Sequence, residues 1–321
     1  MDRGLSIYKS VLDVIGNTPI VDLTHLTKNL NGRILAKLDY LNPGFSKKDR
    51  IALEMIEEAE QSGTLKPNQT VVEMTSGNTG TGLAIVCGHK GYPFVAVMSK
   101  GNTDERVRMM RALGAEVILV EQAPGSRTGT VSGESLELVE QEANRIAKER
   151  EAFRCDQFNS NGNFNTWYFR ASKEIIQQTN GSFDAFCDFM GTGGTFAGLC
   201  KAFKEFNPNI QCYIIEPANA AIIAGKKVLN KGDHKIQGGG YSMSALKFLK
   251  DISIDGTLQV TDEEAYITVR RLAKEEGIFA GPSSGANVHG AIQLLNGPLE
   301  GKTVFVVLPD SGLKYLSTDL W

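Results

Sequence analysis

The chain has 321 residues, 41% of them hydrophobic and 22% charged, and a formal net charge of −3. That length predicts one large or two modest globular domains. The balanced charge, without a basic tail or Lys/Arg stripe, argues against nucleic-acid binding, and no stretch approaches the roughly 18 apolar residues of a membrane span. Residues 1–16 carry Asp2, Arg3, Lys9 and Asp13 and lack the apolar run of a signal peptide. Five scattered cysteines (Cys87, Cys155, Cys187, Cys200 and Cys212) predict buried thiols in a reducing cytoplasm rather than a disulfide frame. Four histidines (His25, His89, His234 and His289) form no pair with metal-ligand spacing, so no metal is expected.

In chain order, the first informative stretch is 42–50. Two adjacent lysines, Lys47 and Lys48, stand between a turn-forming Asn42-Pro43-Gly44 and a segment whose apolar residues Ile51, Ala52, Met55, Ile56 and Ala59 recur at helical spacing. A lysine at a helix start lies near the positive end of the dipole, which disfavours its ammonium form. A neutral lysine can form a Schiff base with an aldehyde. The same residues also read as an ordinary exposed first turn capped by Ser46.

Downstream, short apolar runs at 71–74, 94–98, 117–120, 185–190, 212–216 and 303–308 alternate with helical patterns at 83–91, 104–113, 134–150 and 196–206. A further strand is expected at 155–158, ahead of an Asn/Gly-rich boundary at 159–165. This alternation predicts an α/β chain with mostly parallel, open, twisted sheets covered by helices on both faces, in two domains. In such sheets ligands sit at the carboxyl ends of strands. Four loops lie there. Residues 73–80 include Thr75, Ser76, Gly77, Asn78 and Thr79 at a helix start, a composition suited to a carboxylate or phosphate but also to a capped turn. Gly191, Thr192, Gly193, Gly194 and Thr195 form a loop whose glycines admit an anion close to the backbone, with phosphate the natural guest. Ser283 and Ser284 lie in 280–287 and either bind a ligand or cap a helix, and Asp310 ends the last strand, facing a site or closing an Asx-turn. A lysine, a phosphate cradle and a carboxylate cradle together fit pyridoxal 5'-phosphate.

The same loops, in this order, resemble the cysteine synthase (O-acetylserine sulfhydrylase) and cystathionine β-synthase family of fold-type II pyridoxal-phosphate enzymes, whose fold is tryptophan synthase β-like. The matching segments are 15–19, 42–50, 75–80, 156–158, 191–195, 236–238, 283–285 and 309–312. The resemblance implies that Lys48, which directly precedes Asp49-Arg50, is the Schiff-base lysine. It implies that Asn78 contacts the cofactor's ring hydroxyl, that Gly191 to Thr195 hold its phosphate and that Ser283 faces the pyridine nitrogen. Thr75, Ser76, Gly77, Thr79 and Gln157 are implied to hold the substrate carboxylate. A smaller, mobile domain at 45–152 and a larger one made of 1–44 and 153–321 would enclose the site. The implied chemistry is β-replacement on a serine-derived or cysteine-like amino acid through an aminoacrylate, either O-acetylserine plus sulfide to cysteine plus acetate or a specialised variant with another small nucleophile. Cystathionine β-synthase-like condensation and serine/threonine dehydration are alternatives within the same cofactor class. A cytoplasmic homodimer acting on small molecules is implied as well.

Departures from the family pattern concern the substrate more than the cofactor. Phe45 replaces a small residue, Lys47 an apolar one and Met74 a proline, and Gly238-Gly-Gly-Tyr-Ser-Met243 replaces a run of small residues. Tyr241 and Ser242 are expected at the mouth for the second substrate. Two readings outside the class are weaker. Residues 191–198 followed by Glu216 approach a dinucleotide fingerprint, as in an NAD-dependent dehydrogenase. Phe196, however, holds the third glycine's place, and Lys48 and the 75–80 loop go unexplained. A non-catalytic scaffold would have no need of the lysine and the phosphate loop.

Overall fold

The computed structural model describes residues 7–125, 133–229 and 232–321. Among the described residues, ten strands form two sheets. The four-stranded sheet has β3 (Val71–Met74), β4 (Phe94–Ser99), β5 (Glu116–Val120) and β6 (Phe153–Arg154) in the order β5-β4-β3-β6, all parallel. β6 occupies 153–154, two residues before the strand expected at 155–158, which instead lies in the loop leaving the sheet.

The six-stranded sheet has β1 (Ile20–Asp22), β2 (Arg33–Lys37), β7 (Ala185–Phe189), β8 (Gln211–Pro217), β9 (Gly256–Val260) and β10 (Thr303–Val307), ordered β1-β2-β10-β7-β8-β9. Only the edge strand β1 runs antiparallel. From β7 the chain builds outward through β8 and β9, then returns to place β10 on the other side of β7. The strand order reverses there, and the crevice outside the carboxyl ends of β7 and β10 is the place such a sheet offers a ligand.

Helices cover both sheets: α1 (Lys48–Gln61), α2 (Asn78–Lys90), α3 (Asp104–Ala112), α4 (Gly133–Glu149), the short α5 (Asn161–Asn165), α6 (Ser172–Thr179), α7 (Gly194–Phe206), α8 (Asp262–Glu276) and α9 (Pro282–Leu295). β3, β7 and most of β10 are buried on both faces, which is why they read as unbroken apolar runs. One core, around Phe186, Phe203 and Phe305, runs from α1 and α2 to the large sheet. A second packs α8 and α9 on its other face, and a third lies beneath α4. All five cysteines are buried and unpaired. No described helix is long and apolar enough to cross a membrane.

Candidate active site

A cavity lies at the carboxyl ends of β7 and β10. Four separate segments meet there because each follows a strand or opens a helix. Lys47 and Lys48 come from the start of α1, which is pinned by a hydrogen bond from Lys47 N–H to the carbonyl of Pro309 (2.7 Å). Asn78 is the first residue of α2, Gly191, Thr192, Gly193 and Thr195 border the start of α7, and Ser283 lies in the first turn of α9.

Lys48 is half-buried and lines this cavity, and no described residue forms a hydrogen bond or ion pair with its Nζ. Its pKa is pushed down from 10.5 to about 7, first by burial and second by the adjacent Lys47 charge, with Asp188 and Glu73 opposing. Lys47 lines the same cavity, and its Nζ lies 3.1 and 3.3 Å from the two carboxylate oxygens of Asp188. Ser46 Oγ accepts from the Lys48 N–H at 3.3 Å, although the residue immediately before α1 is Lys47. Phe45 is bent into the left-handed region (φ 59°) and is exposed.

Asn78 is held at both ends of its amide. Its Oδ1 accepts from Lys314 Nζ (2.7 Å) and its Nδ2 donates to Asp310 Oδ2 (2.7 Å), which also accepts from Tyr315 Oη (2.8 Å). One Nδ2 hydrogen remains for a ligand. The Gly-rich loop turns on Gly193, whose φ of +88° any side chain would strain. Gly194 opens α7 and stands against Asn163, whose Nδ2 donates to Thr192 Oγ1 at 2.8 Å.

The residues expected at the substrate carboxylate lie on the neighbouring wall. Thr75 Oγ1 accepts from the N–H groups of Gly77 (2.9 Å) and Gly80 (3.0 Å), and Gly77, at φ +121°, is the turn into α2. Thr79 Oγ1 donates to Gln157 Oε1 (2.7 Å), whose Nε2 donates to the Met74 carbonyl (3.0 Å). Beneath them the buried Glu73 accepts from the N–H groups of Asp156 (2.8 Å) and Gln157 (3.4 Å) and pairs with Arg154 (2.7 Å). Burial raises the Glu73 pKa to about 7 against the pull of Arg154. Thr75 and Ser76 border a second cavity, shared with Ser99, Asn102 and Tyr241. Tyr241 packs edgewise on Phe158, with ring centroids 5.8 Å apart.

The structure therefore brings Lys48, Asn78, Ser283 and the 191–195 loop to one cavity, with Thr75, Ser76, Gly77, Thr79 and Gln157 beside it. Sequence reasoning passed over Asp188, Gln237, Glu73 and Lys314. A signal existed for Asp188: a carboxylate inside an otherwise apolar strand is rarely buried without a partner. The residues fit pyridoxal phosphate. An unpartnered amine, an open amide hydrogen and a glycine turn at a helix start face one cavity, which supplies the donors that an aldehyde, a ring hydroxyl and a phosphate need. Among the described residues no cluster could hold a metal ion.

A family model described as "Pyridoxal-phosphate dependent enzyme" matches residues 11–310. A cysteine synthase of Staphylococcus aureus is 40% identical over 313 residues, covering 97% of this chain and 96% of the relative. Among solved structures, an O-ureido-L-serine synthase superposes with a TM-score of 0.88 at 36% identity, over 98% of this chain and 95% of its own. An O-acetylserine dependent cystathionine β-synthase from Helicobacter pylori superposes with a TM-score of 0.89 at 31% identity, over 99% of this chain and 100% of its own.

Proposed function

We propose that this chain, which belongs to the family of pyridoxal-phosphate dependent enzymes, catalyses β-replacement on an activated serine, with O-acetyl-L-serine as donor and sulfide as nucleophile. The observation that carries the reading is Lys48, an unpartnered amine with a pKa near 7, in one cavity with the 191–195 loop, Asn78 and Ser283. Pyridoxal phosphate, when bound, supplies an aldehyde for the lysine and a ring that withdraws electrons from Cα of the amino acid. Lys48 would hold its aldehyde, Asn78 its ring hydroxyl, Ser283 its ring nitrogen and residues 191–195 its phosphate.

Thr75, Ser76, Gly77, Thr79 and Gln157 would hold the substrate carboxylate at the start of α2, where the helix dipole favours an anion. Lys48 Nζ would take the Cα proton of the bound amino acid and later return it, and a pKa near the working pH suits it to that task. Ser283 would be a neutral partner for the ring nitrogen and would not hold a proton there as a carboxylate would, which would favour loss of the β-substituent over transamination. Closure of the 45–152 unit onto the larger one would keep water out.

The donor draws support from the O-acetylserine dependence of the Helicobacter pylori protein and the nucleophile from the Staphylococcus aureus cysteine synthase. One observation favours a second reading: a second open cavity adjoins Thr75 and Ser76 at the carboxylate wall, where a thiol larger than sulfide would enter. A cytoplasmic homodimer belongs to the same proposal and rests on family likeness. The test is turnover of O-acetyl-L-serine, L-serine, O-phospho-L-serine and L-cysteine, each with sulfide and with homocysteine. Cysteine formed fastest from O-acetyl-L-serine and sulfide is the expected result. Cystathionine as the faster product would assign the second reading, a keto acid would assign a dehydratase, and no turnover of any donor would contradict the proposal.

A further inference from the structure

Two cationic side chains are found among the described residues lining the active-site cavity, Lys47 and Lys48. This inference rests on the cofactor reading above, which commits Lys48 to the aldehyde. The 191–195 loop offers a phosphate only neutral donors, N–H groups and the hydroxyls of Thr192 and Thr195. A phosphate monoester carries a charge of about −1.5 to −2 at pH 7.

Lys47 lines the same cavity as Gly191, Thr192, Gly193 and Thr195. Its ion-pair partner Asp188 lies on β7 three residues before Gly191. Its Nζ is 6.0 Å from the ring of Trp167, and Trp167 packs on α7 so closely that a Cβ at Gly198 would come within 2.7 Å of it. Asp188 is itself fixed. Its Oδ1 accepts from Asn287 Nδ2 (3.0 Å), which also donates to the Val307 carbonyl (2.7 Å), and Asn287 Oδ1 accepts from the Phe189 N–H (2.6 Å). β7, β10 and α9 therefore hold the carboxylate, and the carboxylate holds the ammonium. Without Lys47, the carboxylate of Asp188 would repel a phosphate, and without Asp188 the lysine would be a buried charge lacking a partner. An ammonium has three donors, so pairing with Asp188 leaves at least one for a ligand.

We propose that Lys47, fixed by Asp188 and Asn287, is a cofactor-binding residue of this chain whose ammonium contacts the phosphate group of the bound cofactor. The departure of Lys47 from the family pattern is then a charged addition to a neutral cradle.

The test compares two ligands that differ only by the phosphate. Dissociation constants of pyridoxal 5'-phosphate and of pyridoxal are measured by visible absorbance on the apoprotein and on the Lys47→Met/Asp188→Asn double variant, which removes both charges together. The expected result is a loss of at least about tenfold for the phosphorylated ligand, one tenfold being about 1.4 kcal/mol, with pyridoxal weakened much less. Equal losses for both ligands, or none for either, would overturn the inference. Should the double variant not fold, Lys47→Gln removes the charge while keeping a donor to Asp188 and reads the same difference. A wild-type protein that binds neither ligand would defeat the cofactor reading itself, whereas binding insensitive to the phosphate defeats this inference alone.

Discussion

Lys48 differs from an ordinary surface lysine in two respects. Burial and a neighbouring like charge lower its pKa to about 7, and no partner restores it. A raised charge penalty means that the neutral amine fraction grows through neutrality rather than near 10.5. The rate at which apoprotein captures pyridoxal phosphate is therefore expected to rise with pH to a half-maximum near 7 and to flatten above it, measured by stopped-flow absorbance. A rate still climbing steeply at pH 9 would show that Lys48 keeps its ammonium in the folded protein. Lys47, one residue away, pairs instead with Asp188 at 3.1 Å. Two identical side chains in one cavity are thus divided by whether each has a partner.

At the scale of elements, α1 delivers the lysine because its first turn is locked to the larger sheet. Arg50 makes paired hydrogen bonds to Asp39 (2.9 and 2.9 Å) and to Glu174 (2.8 and 3.1 Å), and Lys37 on β2 adds a second cation to Glu174 at 2.5 Å. Burial alone would raise the Glu174 pKa, but Arg50 and Lys37 overcome it and hold the group near 2. The sign follows: the folded pKa lies below the unfolded one, so this contribution is complete above pH 4.5 and is lost as pH falls towards 2. Arg50→Met leaves two buried carboxylates without their main partner. It is expected to cost about 3–5 kcal/mol in chemical denaturation at pH 7, and less below pH 4, where the carboxylates can take protons. An equal cost at both pH values would show that packing, not charge, is what Arg50 supplies.

The legibility of these elements follows their burial. Strands hidden on both faces, such as β7 and β10, stood out as apolar runs. β1 and most of β9 are only half-buried and carry Asp22 and Gln259, so their pattern did not rise above that of loops. The start of α8 was readable in principle, because Thr261 and Glu264 form a capping box. The glycine and Ser/Thr loops were legible because close backbone approach restricts residue type. The partners of Asp188, Glu73 and Lys314 were not, because each lies more than 80 positions away in the chain.

Across the whole molecule, the chain leaves the large sheet after β2, builds the four-stranded sheet from residues 71–154, and returns at β7. The cleft between the sheets therefore collects residues from every quarter of the sequence. Arg106 on α3 spans it, with Nη1 reaching the Ser76 carbonyl (3.2 Å) and Gln237 Oε1 (2.6 Å) and its guanidinium 4.6 Å from the Tyr315 ring centroid. Arg106→Met is expected to raise KM for the amino-acid donor by about tenfold, the worth of one hydrogen bond to a charged group, while cofactor affinity stays within about twofold because Arg106 does not line the cofactor cavity. Steady-state kinetics beside cofactor titration separates the two.

The central claim is that Lys48, not Lys47, carries the cofactor. Borohydride reduction of protein loaded with pyridoxal phosphate, followed by peptide mass mapping, tests it directly. The account predicts a single pyridoxyl-phosphate adduct on Lys48, absent from Lys48→Ala. An adduct on Lys47, or none on either lysine, would contradict it.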